Sequence, residues 1–361
     1  MSTAAKSSVT VQQTRLAYAD TMGDERLSGK LLGLGPILQW LDNFGGAVAQ
    51  NAISKTVAMA ALEHIDVVSP IAHGDVVRFE GELINIGRSS VTLQVTGYRH
   101  DVATRKFVHA LDAVMTAVAL DENLRPSRGL PGLVAPGNAE YIDSLRDIAT
   151  KRKELSVRLK SAEESVDELP RISVDMLDDT TRGCDCISAV PVSDTVVALG
   201  NSFMPRHLNR HGTVFGGEIL SWMDKTALYC GKIFTGNSNM MTVSADRVSF
   251  KLPVSTSDVV SVEARICGVR EHNVEVQVEV FLNKLASQER RKSHTGYFVV
   301  ANLNALNQAE RVAQGIEINE DDQESLRVLL KAQTRRKISE NARKLLHLEP
   351  LALSPISGSH L

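Results

Sequence analysis

Two aspartates stand where a carboxylate is costly to place. Asp224 lies within EILSWMDKTALYCGKIF (218–234), where Ile219, Leu220, Trp222, Met223, Ala227, Leu228, Ile233 and Phe234 cover nearly every face of a helix, the pattern of a buried one. Asp42 holds the same place, two residues after a tryptophan, in PILQWLDNFGGAVAQNAI (36–53). Burying an unpaired carboxylate costs several kcal/mol or drives it neutral. Local hydrogen bonds or a wet groove would account for such a group structurally. Its recurrence in both halves of the chain favours a functional use.

A second set of residues stands just before Asp224, in HLNRHGTVFGGEIL (207–220). Gly216 and Gly217 immediately precede the helical pattern. A helix N-terminus offers unpaired N–H groups and the positive end of the dipole, and glycine lets a ligand approach the backbone closely, so this is an oxyanion-type arrangement. A tight turn would call for the same glycines. Asn209 has an amide able to orient a water or a carboxylate, although asparagine before a helix also serves turns and caps.

These residues belong to an internal duplication. WLDNFGG at 40–46 and WMDKTAL at 222–228 are 182 residues apart, and SPIAHGDVV at 69–77 and LPVSTSDVV at 252–260 are 183 apart, one inserted residue reconciling them. The same register lays VVRFEGELINI (76–86) on VVSVEARICGV (259–269), and SVTLQVTGYRH (90–100) on NVEVQVEVFLN (273–283), all alternating like strands. Apolar runs at 109–120 and 295–303 close each half. VTVQQTRLAYA (9–19) reads as an opening strand, in preference to a targeting segment. Each repeat therefore predicts a strand, a glycine-containing turn, one helix of about five turns and several long strands. The fold class is α+β, an antiparallel sheet wrapped around a single helix, twice over.

The string NRHGTVFGGEILSWMD (209–224), with its spacing Asn-x6-Gly-x7-Asp, resembles the active-site signature of the double-hotdog acyl-CoA thioesterases. The likeness covers an N-terminal hotdog at 8–120 and a C-terminal hotdog at 188–304, leaving a linker at 121–187 and an extension at 305–361. It implies hydrolysis of acyl-CoA to a free acid and CoA, with CoA part of the substrate and no cofactor or metal required. It further implies that the acid comes from one repeat and the glycine amides and asparagine from the other. Asp42 would then serve with Asn209, Gly216 and Gly217, while Asp224 would face a first repeat in which Leu27 and Leu34 replace Asn209 and Gly216 and only Gly35 remains. One intact and one degraded site are expected. His211 and Phe215 on the same loop, and Arg88, Ser89 and Ser90 in a small polar turn, are the implied substrate contacts; the latter three also suit a plain hairpin turn. The resemblance also implies a homo-oligomer, a trimer of double hotdogs.

Composition limits the alternatives. Forty basic and forty-three acidic residues give a net charge of -3, with no footprint for nucleic acid or anionic lipid, and no apolar run approaches a membrane span. Cys184, Cys186, Cys230 and Cys267 show no metal-ligand spacing and read as reduced intracellular thiols. A charged run at 145–166 predicts a connector helix and another at 321–348 an exterior one, with Arg335, Arg336 and Lys337 on a solvated face. The Pro-, Ser- and Gly-containing end is expected to be unstructured; its Ser359-His360-Leu361 resembles a peroxisomal address, the alternatives being cytoplasmic or mitochondrial residence. Two other functions remain open: a non-catalytic acyl-CoA-binding module, and an enoyl-CoA hydratase using His207 or His211. The hydratase string Asp-x-Asn-Pro-x-His is absent.

Overall fold

The duplication reappears as two helices of 20 residues each, Leu34–Ile53 and Gly216–Thr235, whose first residues are 182 positions apart. The computed structural model describes residues 8–178, 186–284, 289–343 and 345–355, so Cys184 and the Ser359-His360-Leu361 tripeptide lie outside the described residues. The chain divides into two compact units, Met1–Ala149 with Leu348–Leu361, and Thr150–His347.

In the first unit, β1 (Ser8–Thr10), α1 (Val11–Thr14) and β2 (Leu16–Thr21) lead to α2 (Leu34–Ile53). Then come β3 (Thr56–Val67), β4 (Val76–Ile86), β5 (Ser90–Asp101), β6 (Lys106–Leu120) and β7 (Gly132–Val134). Strands β2-β4-β5-β6-β3 form an antiparallel sheet in that order. Ile37, Leu38, Leu41, Phe44 and Val48 of α2 are buried, as are Phe79, Leu83, Val91, Leu93 and Met115 of the sheet. Trp40 stacks on Phe79 with ring centroids 4.0 Å apart. The helix rides so close that a Cβ at Gly81 would lie 2.8 Å from both Phe44 and Val48.

The expected single opening strand is broken. Thr10 caps Gln13 in a reciprocal capping box, which winds Val11–Thr14 into a helical turn and carries the buried Thr14 hydroxyl to the Leu83 N–H at 3.0 Å. The Pro-, Ser- and Gly-containing end lies outside the described residues from 356 on; just before it, Leu351 is buried and hydrogen bonds run to β4 and β5.

Helix α3 (Ala139–Asp167) follows, confirming a helix in the connector. The second unit continues with β8 (Ser188–Val190), β9 (Val197–Ser202), α4 (Gly216–Thr235), β10 (Met240–Phe250), β11 (Val259–Val269), β12 (Asn273–Lys284), β13 (Glu289–Asn302), β14 (Gln314–Ile316) and α5 (Gln323–Arg343). Its sheet runs β10-β13-β12-β11-β9, again antiparallel. Irregularities recur at an offset of 183: Met59/Ala61 with Thr242/Ser244, Leu83/Asn85 with Ile266/Gly268, and Gly97/Tyr98 with Val280/Phe281. Asp75 and Asp258 close equivalent turns, accepting from Ala72 N at 2.8 Å and Ser255 N at 2.9 Å.

Helix α5 is not the solvated exterior helix its charge suggests. Leu326 and Leu330 are buried with Val166 and Ile172. Arg335, expected on a solvated face, is 5 % exposed. Its guanidinium lies 3.3 Å over the Tyr297 ring and 2.6 Å from Glu275, an aromatic and acidic setting that a local charge pattern does not reveal.

Candidate active site

Asp42 and Asp224 each occupy the ninth position of their helix, counting from Leu34 and Gly216, and both are buried, 8 % and 3 % exposed. The acids thus sit in a duplicated frame. What precedes each helix differs.

Before α4 the chain makes a closed loop. Leu208 and Val214 form a β-bridge, Asn209 N donates to Thr213 O at 2.8 Å, and Gly212 takes a left-handed φ of 75°, which glycine adopts without strain. The Asn209 side chain holds the interior: its Oδ1 accepts from His211 N at 2.8 Å and Thr213 N at 3.3 Å, and its Nδ2 donates to Thr213 Oγ1 at 2.9 Å. Asn209 therefore shapes the loop rather than presenting its amide outward. His211 and Phe215 are half-buried on the same loop, and the Phe215 N–H is bound by His207 O at 2.8 Å. His207 is itself tied into a turn, its Nδ1 accepting from Met204 N at 2.9 Å.

Gly216 and Gly217 are the first two residues of α4, and the N-cap residue, Phe215, makes no side-chain cap. The start of a helix of this length carries partial positive charge and N–H groups able to stabilise an oxyanion. Asp224 stands eight residues further on, about 12 Å along the axis. That is too far for Asp224 to share one reacting carbonyl with the Gly216 amide of its own helix.

The first unit presents a different entrance. Leu27 ends a short 3-10 turn capped by Asp24 and is 39 % exposed, while Leu34, the first residue of α2, is 1 % exposed. Gly35 is buried and matches Gly217. Arg88, Ser89 and Ser90 form the β4–β5 hairpin turn, closed by Gly87 N to Ser90 O at 2.8 Å; Arg270 and Asn273 close the equivalent turn at 2.7 Å.

Two hydroxyls went unnoticed in the sequence. Thr242 and Ser244, flanking the β10 irregularity, are 1 % and 6 % exposed, and neither hydroxyl has a hydrogen-bond partner among the described residues. The offset of 183 puts Met59 and Ala61 at these positions in the first repeat, which is the one signal that could have marked them.

Burial pushes the Cys230 thiol up to about 12, so it is no nucleophile at neutral pH. Among the described residues no cluster of three or more His, Cys, Asp or Glu could hold a metal, and no helix is long and apolar enough to cross a membrane.

Comparison with known proteins bears directly on this frame. The family model of the Thioesterase superfamily matches residues 35–105 and 211–286, one segment in each repeat. Acyl-CoA thioester hydrolase YciA of Escherichia coli (strain K12) is 32% identical over 99 residues, which cover 73% of that protein and 27% of this chain. The chain belongs to the thioesterase superfamily. The two matched segments contain α2 and α4, so each repeat of this thioesterase-superfamily chain is a hotdog, a sheet wrapped on one helix. The cytosolic acyl coenzyme A thioester hydrolase of Mus musculus is 22% identical over 331 residues, covering 85% of this chain and 80% of that protein. Acyl-coenzyme A thioesterase 11 of Mus musculus is 23% identical over 271 residues, and those cover 74% of this chain but 43% of that longer protein.

Proposed function

We infer that this chain hydrolyses acyl-CoA thioesters to a carboxylic acid and CoA. The observation that carries the reading is the pairing of a preformed Asn209–Thr213 loop with the Gly216-Gly217 helix start that follows it, in a frame that buries a carboxylate at the ninth position of each helix. Membership of the thioesterase superfamily and the names of the relatives support the same reaction.

In this reading the Gly216 and Gly217 amides receive the thioester oxygen as it becomes an oxyanion, and Asn209 keeps the loop in the shape that presents them. A carboxylate takes a proton from the attacking water, and the tetrahedral intermediate collapses with loss of the CoA thiolate. The 12 Å along α4 argues against Asp224 for that role at the Gly216 amide; Asp42, the acid that the likeness to double-hotdog thioesterases assigns to these glycines, is the proposed base. His211 and Phe215 border the same helix start as proposed acyl or pantetheine contacts, with Arg88, Ser89 and Ser90 as outlying ones. No cofactor is required by this chemistry. Assembly into a homo-oligomer, a trimer of double hotdogs, belongs to the same reading and is checked by the mass from light scattering.

Release of free thiol from short-, medium- and long-chain acyl-CoAs tests the reaction, with Asp42→Asn and Asp224→Asn in parallel. Asp42→Asn is expected to lower kcat about 10²- to 10⁴-fold, the usual contribution of a general base. A loss confined to Asp224→Asn would transfer the role to that acid. No turnover of any chain length by the wild-type chain, with acyl-CoA still bound, would make the protein a binding module. Hydration of crotonyl-CoA without thiol release would make it a hydratase.

A further inference from the structure

The face of β4 and β5 turned away from α2 carries three cross-strand pairs: Arg78 with Tyr98, Glu80 with Thr96, and Glu82 with Gln94. Strand alternation predicts that such a polar row faces water. It does not. Glu80 and Thr96 are 0 % exposed, because residues 349–354 cross the row as an extended strap.

The strap is gripped mainly by its main chain. Gln94 Nε2 donates to Glu349 O at 2.8 Å, Leu351 N donates to Thr96 Oγ1 at 3.0 Å, and Tyr98 Oη donates to Leu351 O at 2.6 Å. The Arg15 guanidinium donates to Ala352 O and that of Arg78 to Ser354 O. Glu80 accepts from both Ser354 N and Ser354 Oγ at 3.0 Å. Two of its side chains are read by the face: Leu351, which is 7 % exposed, and the Ser354 hydroxyl. Ala352, Leu353 and Pro355 are exposed.

The charged groups beneath the strap also pair with one another. Arg78 pairs with Glu80 at 2.6 Å, and Arg15 with Glu80 at 3.3 Å and Glu82 at 3.6 Å. Strap and face are joined mainly by hydrogen bonds, which water can replace, with Leu351 as a buried apolar anchor. In the second unit α5 reaches this face at Arg265 and Glu275, while Glu263 and Glu279, at the positions of Glu80 and Thr96, are half-exposed and paired to Arg290 and Lys292.

We propose that this face of β4 and β5 is a peptide-binding surface that accepts an extended Leu-x-x-Ser segment, and that residues 349–354 are its exchangeable resident. Recognition through main-chain groups with a few side-chain pockets is the general logic of peptide-binding sheets. The surface is independent of the hydrolytic reaction and stands or falls without it.

The test uses the full chain and a fluorescein-labelled nonapeptide of residues 347–355, followed by anisotropy. Ser354→Ala in the chain loosens the resident, so the labelled peptide is expected to bind about tenfold more tightly than to the wild type. Serine to alanine in the peptide itself is expected to weaken its binding about tenfold. Hydrogen exchange on the same samples should show the Leu351 and Ser354 amides of the chain losing protection as peptide is added. Equal affinity for the wild-type and Ser354→Ala chains would overturn the proposal. So would protection of those two amides that persists at saturating peptide.

Discussion

The two repeats agree in the frame that buries an acid in each long helix and differ in the loop that leads into that helix. Helices α2 and α4 share length, register, a left-handed C-cap at Ser54 or Gly236 and a buried acid at the ninth position. The sheets share their bulges. Before the helices the likeness ends: Leu27 and Leu34 stand where Asn209 and Gly216 shape a loop and an open helix start. The buried Thr242 and Ser244 hydroxyls have Met59 and Ala61 as counterparts. A helix register and a bulge are fixed by packing across the whole sheet, so drift there is penalised at many contacts at once. A loop touches fewer neighbours and can lose a function without unfolding the repeat.

The largest predicted contrast concerns the covers of the two sheets. Arg335 is locked between Tyr297, Glu275 and Glu163, so Arg335→Met strands partly buried carboxylates and is expected to cost about 3–5 kcal/mol in urea unfolding. Arg78→Met in the first unit leaves Glu80 with Arg15 and Ser354, and is expected to cost about 1–2 kcal/mol. Equal losses would mean that strap and helix hold their faces alike.

A smaller effect separates the loops. Asn209→Ala removes three hydrogen bonds from the loop before α4 and is expected to lower kcat about 10- to 100-fold with KM little changed, as misplacement of a positioned group does. Leu27→Ala, at the matching position, is expected to change kcat by less than about twofold because an exposed side chain is lost from a turn. Steady-state kinetics on the acyl-CoA that turns over best reads both. A large effect at Leu27 would restore function to the first repeat's entrance.

How much of this was visible beforehand follows the same division. Trp-x-Asp repeated at 182 residues and alternating strands at 183 are periodic signals, and they placed both helices and the long strands. The opening strand failed because a Thr10 cap diverts the backbone over four residues, too short a stretch for periodicity to register. Arg335 failed because its partners, Tyr297 and Glu275, are distant in sequence, as are those of the strap. At the site, the Asn209-to-Asp224 spacing identified the segment, but the role of Asn209 as the loop's internal brace depends on a bond to Thr213 that spacing cannot specify.

The last contrast is one of pH. His294 on β13 stands beyond the Val280/Phe281 bulge at the position held by Leu111 in the first repeat, and both are buried. Burial lowers the His294 pKa from 6.5 to about 3, so the folded state keeps the ring neutral, its Nδ1 2.7 Å from Ser293 Oγ. The unfolded chain begins to bind a proton below pH 6.5 while the folded chain does not, so the contribution is fully present above pH 6.5 and is lost as pH falls towards 3. At pH 5 the loss is about 2 kcal/mol from this residue alone. His294→Leu imports the first repeat's side chain and is expected to remove that part of the slope between pH 7.5 and 5 in urea unfolding. An unchanged slope would place the acid sensitivity elsewhere and leave the two repeats equivalent at this buried position.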